Sequence, residues 1–91
     1  MPRPRLRRRI CFEAKATYYK PAGIPLRALE EVVLKKDELE ALRLQNLKEL
    51  DQETAAKQMQ ISQPTFHRLL VEAKKKITDA LINGKAIKIE Q

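Results

Sequence analysis

Between residues 37 and 82 apolar side chains recur at three- and four-residue steps, the period that lines up one face of a helix. The run Asp37-Glu38-Leu39-Glu40 sets an N-cap acceptor three residues ahead of an acid, a capping-box pattern that predicts a helix starting at Asp37. Leu39, Leu42, Asn46/Leu47 and Leu50 then keep one face apolar as far as Leu50. Asp51 can cap a second, short helix over 52–59, with Ala55, Ala56 and Met59 on one side. Such a helix must pack on neighbours to persist. Ser62 is a third cap, ahead of the longest expected helix. Its stripe is Phe66, Leu69/Leu70, Ala73, Ile77 and Ala80/Leu81; Pro64 falls in the first turn and Asn83-Gly84 supplies a left-handed close.

Outside this region the helical period disappears. Pro2 and Pro4 favour an extended arm, Ile10, Cys11 and Phe12 have strand character, and Tyr18 to Pro25 is broken by Pro21, Gly23 and Pro25. Pro25 can open a helical turn over residues 26–30. The tail Ala86-Ile87-Lys88-Ile89 alternates with β-branched residues and reads as a strand, which needs a partner. Residues 10–12 or the run Val32-Val33-Leu34 can supply one, within the chain or across a dimer. The expected fold is mainly α with short N- and C-terminal β-strands. It divides into a basic arm and strand/turn segment (1–36), a helical domain (37–85) and a C-terminal strand (86–91).

Composition narrows the function. Ninety-one residues make one small domain, of a size at which folding alone is marginal. With 43% hydrophobic but only 4% aromatic residues, the core must be aliphatic. Uncharged apolar runs of two or three residues fall far short of the roughly 20 that a membrane helix needs, so no membrane association and a cytoplasmic location are expected. A single cysteine, Cys11, allows no internal disulfide and suits a reducing compartment. An enzyme is not expected. Ser62 and His67 are five apart on a helix and diverge by about 140°, and two glycines cannot build a phosphate loop. A metal site using Cys11 and His67 would need two more ligands, so neither metal nor cofactor is expected. The acids lie in charge-mixed helical stretches, where a solvated face is the ordinary reading.

The net charge of +7 is unevenly spread. Residues 1–20 hold seven bases and one acid, residues 21–60 six bases and eight acids, and residues 61–91 six bases and three acids. Blocks of one sign point to an anionic partner. The arm offers Arg3, Arg5, Arg7, Arg8 and Arg9 to a phosphate backbone or a narrow minor groove; the plain alternative is a solubilising tail.

A short helix, a tight break at residues 60–62 and a second helix with polar residues at its start form the pattern of a helix-turn-helix. Its packing positions are met by Ala56, Met59, Ile61, Phe66 and Leu69. The turn usually carries Gly in a left-handed conformation; here Gln60 stands there, at a cost of roughly 1 kcal/mol. Gln63, Thr65, His67 and Arg68 are then the side chains placed to meet base edges, Gln suiting adenine and Arg suiting guanine. Lys74, Lys75 and Lys76 turn through all sides, so at least one should face the phosphate backbone.

The runs Tyr19-Lys20-Pro21-Ala22-Gly23-Ile24-Pro25-Leu26, Leu29-Glu30-Glu31-Val32-Val33-Leu34, Asp37-Glu38-Leu39-Glu40-Ala41-Leu42-Arg43-Leu44 and Gly84-Lys85-Ala86 resemble a family of small, uncharacterised predicted DNA-binding proteins of bacteria and archaea. Separately, residues 37–82 are similar to region four of the major sigma factors, in which a helix-turn-helix reads promoter DNA. The resemblance implies duplex DNA binding and transcriptional regulation. Members of the family usually carry Gly and Arg where this chain has Gln60 and Gln63. One such motif reads few base pairs, so a homodimer is expected. Two other readings stand beside it: an adaptor that contacts RNA polymerase, and an RNA binder that works through the arginine arm.

Overall fold

The fold is described from a computed structural model, in which Ile10 and residues 17–90 are described. The arginine arm and most of the segment 10–12 lie outside these residues. Chain order is β1 (Tyr18–Tyr19), a 3-10 turn (Leu26–Ala28), β2 (Glu31–Leu34), α1 (Lys36–Leu42), a π-helical segment (Arg43–Leu47), α2 (Gln52–Met59), α3 (Gln63–Asn83) and β3 (Ala86–Ile89). The protein is mainly helical, with one three-stranded sheet in the order β1-β3-β2.

The first helix starts one residue earlier than its capping pattern predicts. Lys35 is the flanking residue, and Glu38, not Glu40, folds back to accept its N–H at 2.9 Å. Asp37 and Glu38 thus occupy the first turn, where carboxylates oppose the positive end of the helix dipole. Regular helix ends at Leu42, and the wider π turn that follows is closed by Lys48 N–H donating to Arg43 O at 2.9 Å. Glu49 turns left-handed with φ 61°, so that Leu50 N–H reaches Leu44 O at 3.0 Å. The extra residue per turn rotates the apolar face: Leu44 is buried, while Leu47, expected on that face, is 75% exposed.

The caps at Asp51 and Ser62 form as expected, each accepting the N–H three residues on, at 2.7 and 3.2 Å. Gly84 ends α3 in the left-handed region (φ 68°), letting Lys85 N–H close onto Ala80 O at 3.0 Å. Ala80 is buried, but its neighbour Leu81 is 74% exposed, because a single row of the last α3 turn meets the sheet.

The C-terminal strand has two partners. It pairs in parallel with β2 (Val32 opposite Ile87, Leu34 opposite Ile89) and antiparallel with β1 (Tyr18 opposite Lys88). Of the two partners that the sequence offered, the run Val32-Val33-Leu34 is the one seen, residues 11–12 lying outside the described residues, and Tyr18–Tyr19 is an additional partner. Two apolar clusters meet along α3. Ala41, Leu44, Ala55, Ala56, Met59, Phe66 and Leu70 form the first, among the helices; Leu34, Ala73 and Ile89, backed by Leu39, Leu42, Ile77 and Ile87, form the second, against the sheet.

Two acids depart from the expected solvated face. Glu40 is buried and is met by the Arg43 guanidinium in a two-pronged contact at 2.8 and 3.1 Å. Glu38, also buried, accepts from Lys76 Nζ at 2.9 and 3.1 Å while the same ammonium donates to Val33 O at 2.8 Å. This one cluster ties the start of α1 to α3 and β2. Lys76 is thus committed to the interior, not to a phosphate, since leaving Glu38 buried and unpaired would be costly.

Candidate functional site

The site begins with the turn between α2 and α3. Gln60 takes φ 60° and ψ 42°, the left-handed conformation foreseen for this position. Its N–H donates to Lys57 O at 3.0 Å, and Ile61 N–H reaches back to Ala56 O at 3.1 Å. These are the paired bonds that terminate a helix and reverse the chain within two residues. The reversal is sealed by side chains: Ala56, Met59 and Phe66 are buried in the first cluster, with Ile61 and Leu69 packed against it. All five packing positions read from the sequence therefore converge.

At the start of α3 the helix leaves its first N–H groups pointing outward. Ser62 engages one, and its hydroxyl also donates to Thr65 Oγ1 at 2.9 Å. Thr65 is half-buried, and its hydroxyl additionally accepts from the Arg68 guanidinium at 3.3 Å. It braces Arg68 and Ser62 and is a less open contact than its neighbours. Gln63, His67 and Arg68 are exposed, Gln63 and His67 one helical turn apart on one side. One donor of the Arg68 guanidinium is engaged, of the five the group carries.

A contact that sequence reasoning missed joins the two helices at their outer rim. Gln52 Nε2 lies 3.4 Å from His67 Nδ1, so the amide can donate to the ring when that nitrogen carries no proton. The only sequence signal was a polar residue directly after the Asp51 cap, which is common at any helix start. Asp51 itself is held below the usual carboxylate range, first by the backbone N–H of Thr54 and then by its hydroxyl.

Farther along α3, Lys74 and Lys75 are exposed, like the residues at its start. With Val71, Thr78, Asp79, Ile82 and Asn83 they line a shallow, open depression on the outer side of the helix. Arg3, Arg5, Arg7, Arg8 and Arg9 lie outside the described residues. Among the described residues no three His, Cys, Asp or Glu side chains come together as a metal site, and no helix is long and apolar enough to cross a membrane.

Comparison with known proteins yields relatives of the same kind. Over 90 residues the chain is 58% identical to a UPF0251 protein of Dehalococcoides mccartyi (strain BAV1), spanning 99% of this chain and 77% of that one. It is 54% identical to a UPF0251 protein of Moorella thermoacetica, across 99% of this chain and 60% of the relative. A third, from Caldanaerobacter subterraneus subsp. tengcongensis, is 53% identical over 99% of this chain and 76% of its own length. No solved structure matches the chain. The family model described as "Protein of unknown function DUF134" matches residues 1–91, and the chain belongs to that family.

Proposed function

We propose that α2, the turn at Gln60 and α3 form a helix-turn-helix that binds duplex DNA, and that the protein is a transcriptional regulator. The observation that carries this reading is the pairing of a sealed inner face with an open outer one. Five apolar positions lock the two helices around a left-handed turn, while Gln63, His67 and Arg68 stand exposed at the start of the second helix. In the proposed complex these three side chains meet base edges in the major groove, Arg68 favouring guanine and Gln63 adenine. The Gln63 N–H at the start of α3 and the arm's Arg3, Arg5, Arg7, Arg8 and Arg9 contact phosphates. The preceding α1 and π segment, packed in the same cluster, take the place of the helix that precedes the reading pair in sigma region four.

Fluorescence anisotropy with a pool of random-sequence duplexes tests the proposal. Binding is expected at about 50 mM salt and should fall by about 1,000-fold by about 200 mM if some six phosphates are neutralised. Replacing Arg68 by Ala should cost about 1–3 kcal/mol on a selected site. Absence of duplex binding at the lower salt overturns the reading. In that case pull-down of RNA polymerase tests the adaptor alternative, and RNA that outcompetes duplex DNA would redirect the assignment to RNA.

A further inference from the structure

The core holds the starts of α2 and α3 in place, and two polar side chains meet across the rim between them. Gln52 is the first residue of α2, directly after the Asp51 cap that accepts Thr54 N–H at 2.7 Å. His67 follows Phe66, which is fully buried in the helical cluster. Both backbones are thereby fixed, and Gln52, itself half-buried, brings its Nε2 to 3.4 Å from His67 Nδ1. An amide nitrogen has only protons to offer, and a neutral imidazole carries one proton for its two nitrogens. Nδ1 is therefore the acceptor in this pair, and the proton of the ring belongs on Nε2.

We propose that Gln52 is a positioning residue for base recognition: it holds neutral His67 in the tautomer with its proton on Nε2, so that the exposed ring presents a donor to an acceptor edge in the major groove. That edge is guanine O6 or N7, adenine N7 or thymine O4; the N4 amine of cytosine is refused, because two donors would face each other. The proposal rests on the duplex-binding reading for its target, whereas the state of the ring that it requires exists without DNA. Left to itself, a neutral imidazole exchanges its proton between the two nitrogens. In the other tautomer Nε2 would accept, and the ring would suit the amines of adenine and cytosine instead. The contact from α2 thus turns His67 from a reader of either kind of edge into a reader of one.

His67 is the one histidine of the chain, so nitrogen-15 NMR of its ring reads the first half of the proposal on the full chain without DNA. At about pH 8.5, where an imidazole is neutral, the native protein should show an unprotonated Nδ1 and a protonated Nε2. Gln52→Ala should move both resonances toward the averaged values of exchanging tautomers. The second half is read at the same pH on a duplex site selected by the native protein. His67→Ala should weaken binding to that site about fivefold, the worth of one neutral hydrogen bond, and should abolish discrimination at one base pair. Gln52→Ala should lose discrimination at that same base pair, and the double variant should bind no more weakly than His67→Ala alone, since the two residues act as a unit. Far-UV circular dichroism confirms that each variant is folded. A native ring with its proton on Nδ1, ring resonances indifferent to Gln52→Ala, or losses that add in the double variant, as they would for a direct contact by Gln52, overturns the proposal. Absence of duplex binding by the native protein overturns the reading beneath it and the recognition role with it, while the ring resonances still report the tautomer.

Discussion

Around the first half of α3 the core is built from consecutive helices, with Leu44, Ala55, Met59 and Phe66 all within one stretch of chain; around the second half it is built from β2 and β3, segments some fifty residues apart in sequence. The first half is mainly hydrocarbon, and its buried Glu40 is met by Arg43 from within the same helical stretch. The second is fastened by charge: Lys76 on Glu38 and Val33 O, and Lys85 between Asp79 and, more loosely at 3.5 Å, Glu30. Helices adjacent in sequence can be held by shape alone, because short connections already limit their arrangements. Segments brought from a distance gain from directional contacts that admit one register.

The largest effect should come from emptying the helical side. Phe66→Ala removes the biggest fully buried side chain and should cost about 3–5 kcal/mol, read as a shift of the urea midpoint. On the other side, Lys76→Met keeps most of the volume but strands the buried Glu38 carboxylate; a loss of about 3 kcal/mol is expected. Adding Glu38→Gln to Lys76→Met should recover part of this loss, whereas no second polar change can rescue Phe66→Ala. At the turn, Gln60→Gly should raise stability by about 1 kcal/mol, since glycine takes the left-handed conformation without strain.

The smallest effects are those of pH, and they distinguish the two sides. Asp79 is lowered chiefly by its bond from Asn83 and then by Lys85, and Lys85 is raised chiefly by Asp79. The lowered acids, Asp51 and Asp79, stabilise the fold above pH 3.8, and this contribution disappears as pH falls through their folded values. The raised Lys85 contributes fully below pH 10.5 and its contribution is lost as pH climbs through its folded value. Acid should therefore weaken both sides of α3, through the α2 cap and the Asp79 contact alike. Alkali acts on the sheet side through Lys85. Thermal unfolding across the alkaline range should fall more steeply for the native protein than for Lys85→Met.

Features written in adjacent residues were legible beforehand. The caps at Asp51 and Ser62, the close at Gly84, the left-handed Gln60 and the inner positions of α2 and α3 each depend on three or four neighbours, and each forms as expected. The outward placement of Gln63, His67 and Arg68 follows from the same helical period. What escaped was non-local or shifted in phase. Two-residue β1 carries no strand signal of its own and exists because β3 lies beside it. The π turn slipped the pattern after Leu42, so Leu47 exchanged places with Leu44. Glu38 looked like any other acid in a mixed run, because its partner Lys76 is 38 residues away.

The strand order β1-β3-β2 bears on how the molecule comes into being. Of the three described strands, the last in chain order is the middle one and pairs with both others. On the ribosome, the helical cluster can begin to close once Leu70 has emerged, whereas Leu34, Leu39 and Ile77 keep an open flank until residues 86–89 are free to slide between β1 and β2. Assembly is therefore vectorial. The end of α3 nearest the turn is shaped first, and a stall in translation before Ile89 would release a chain with its helix pair formed and its sheet unmade.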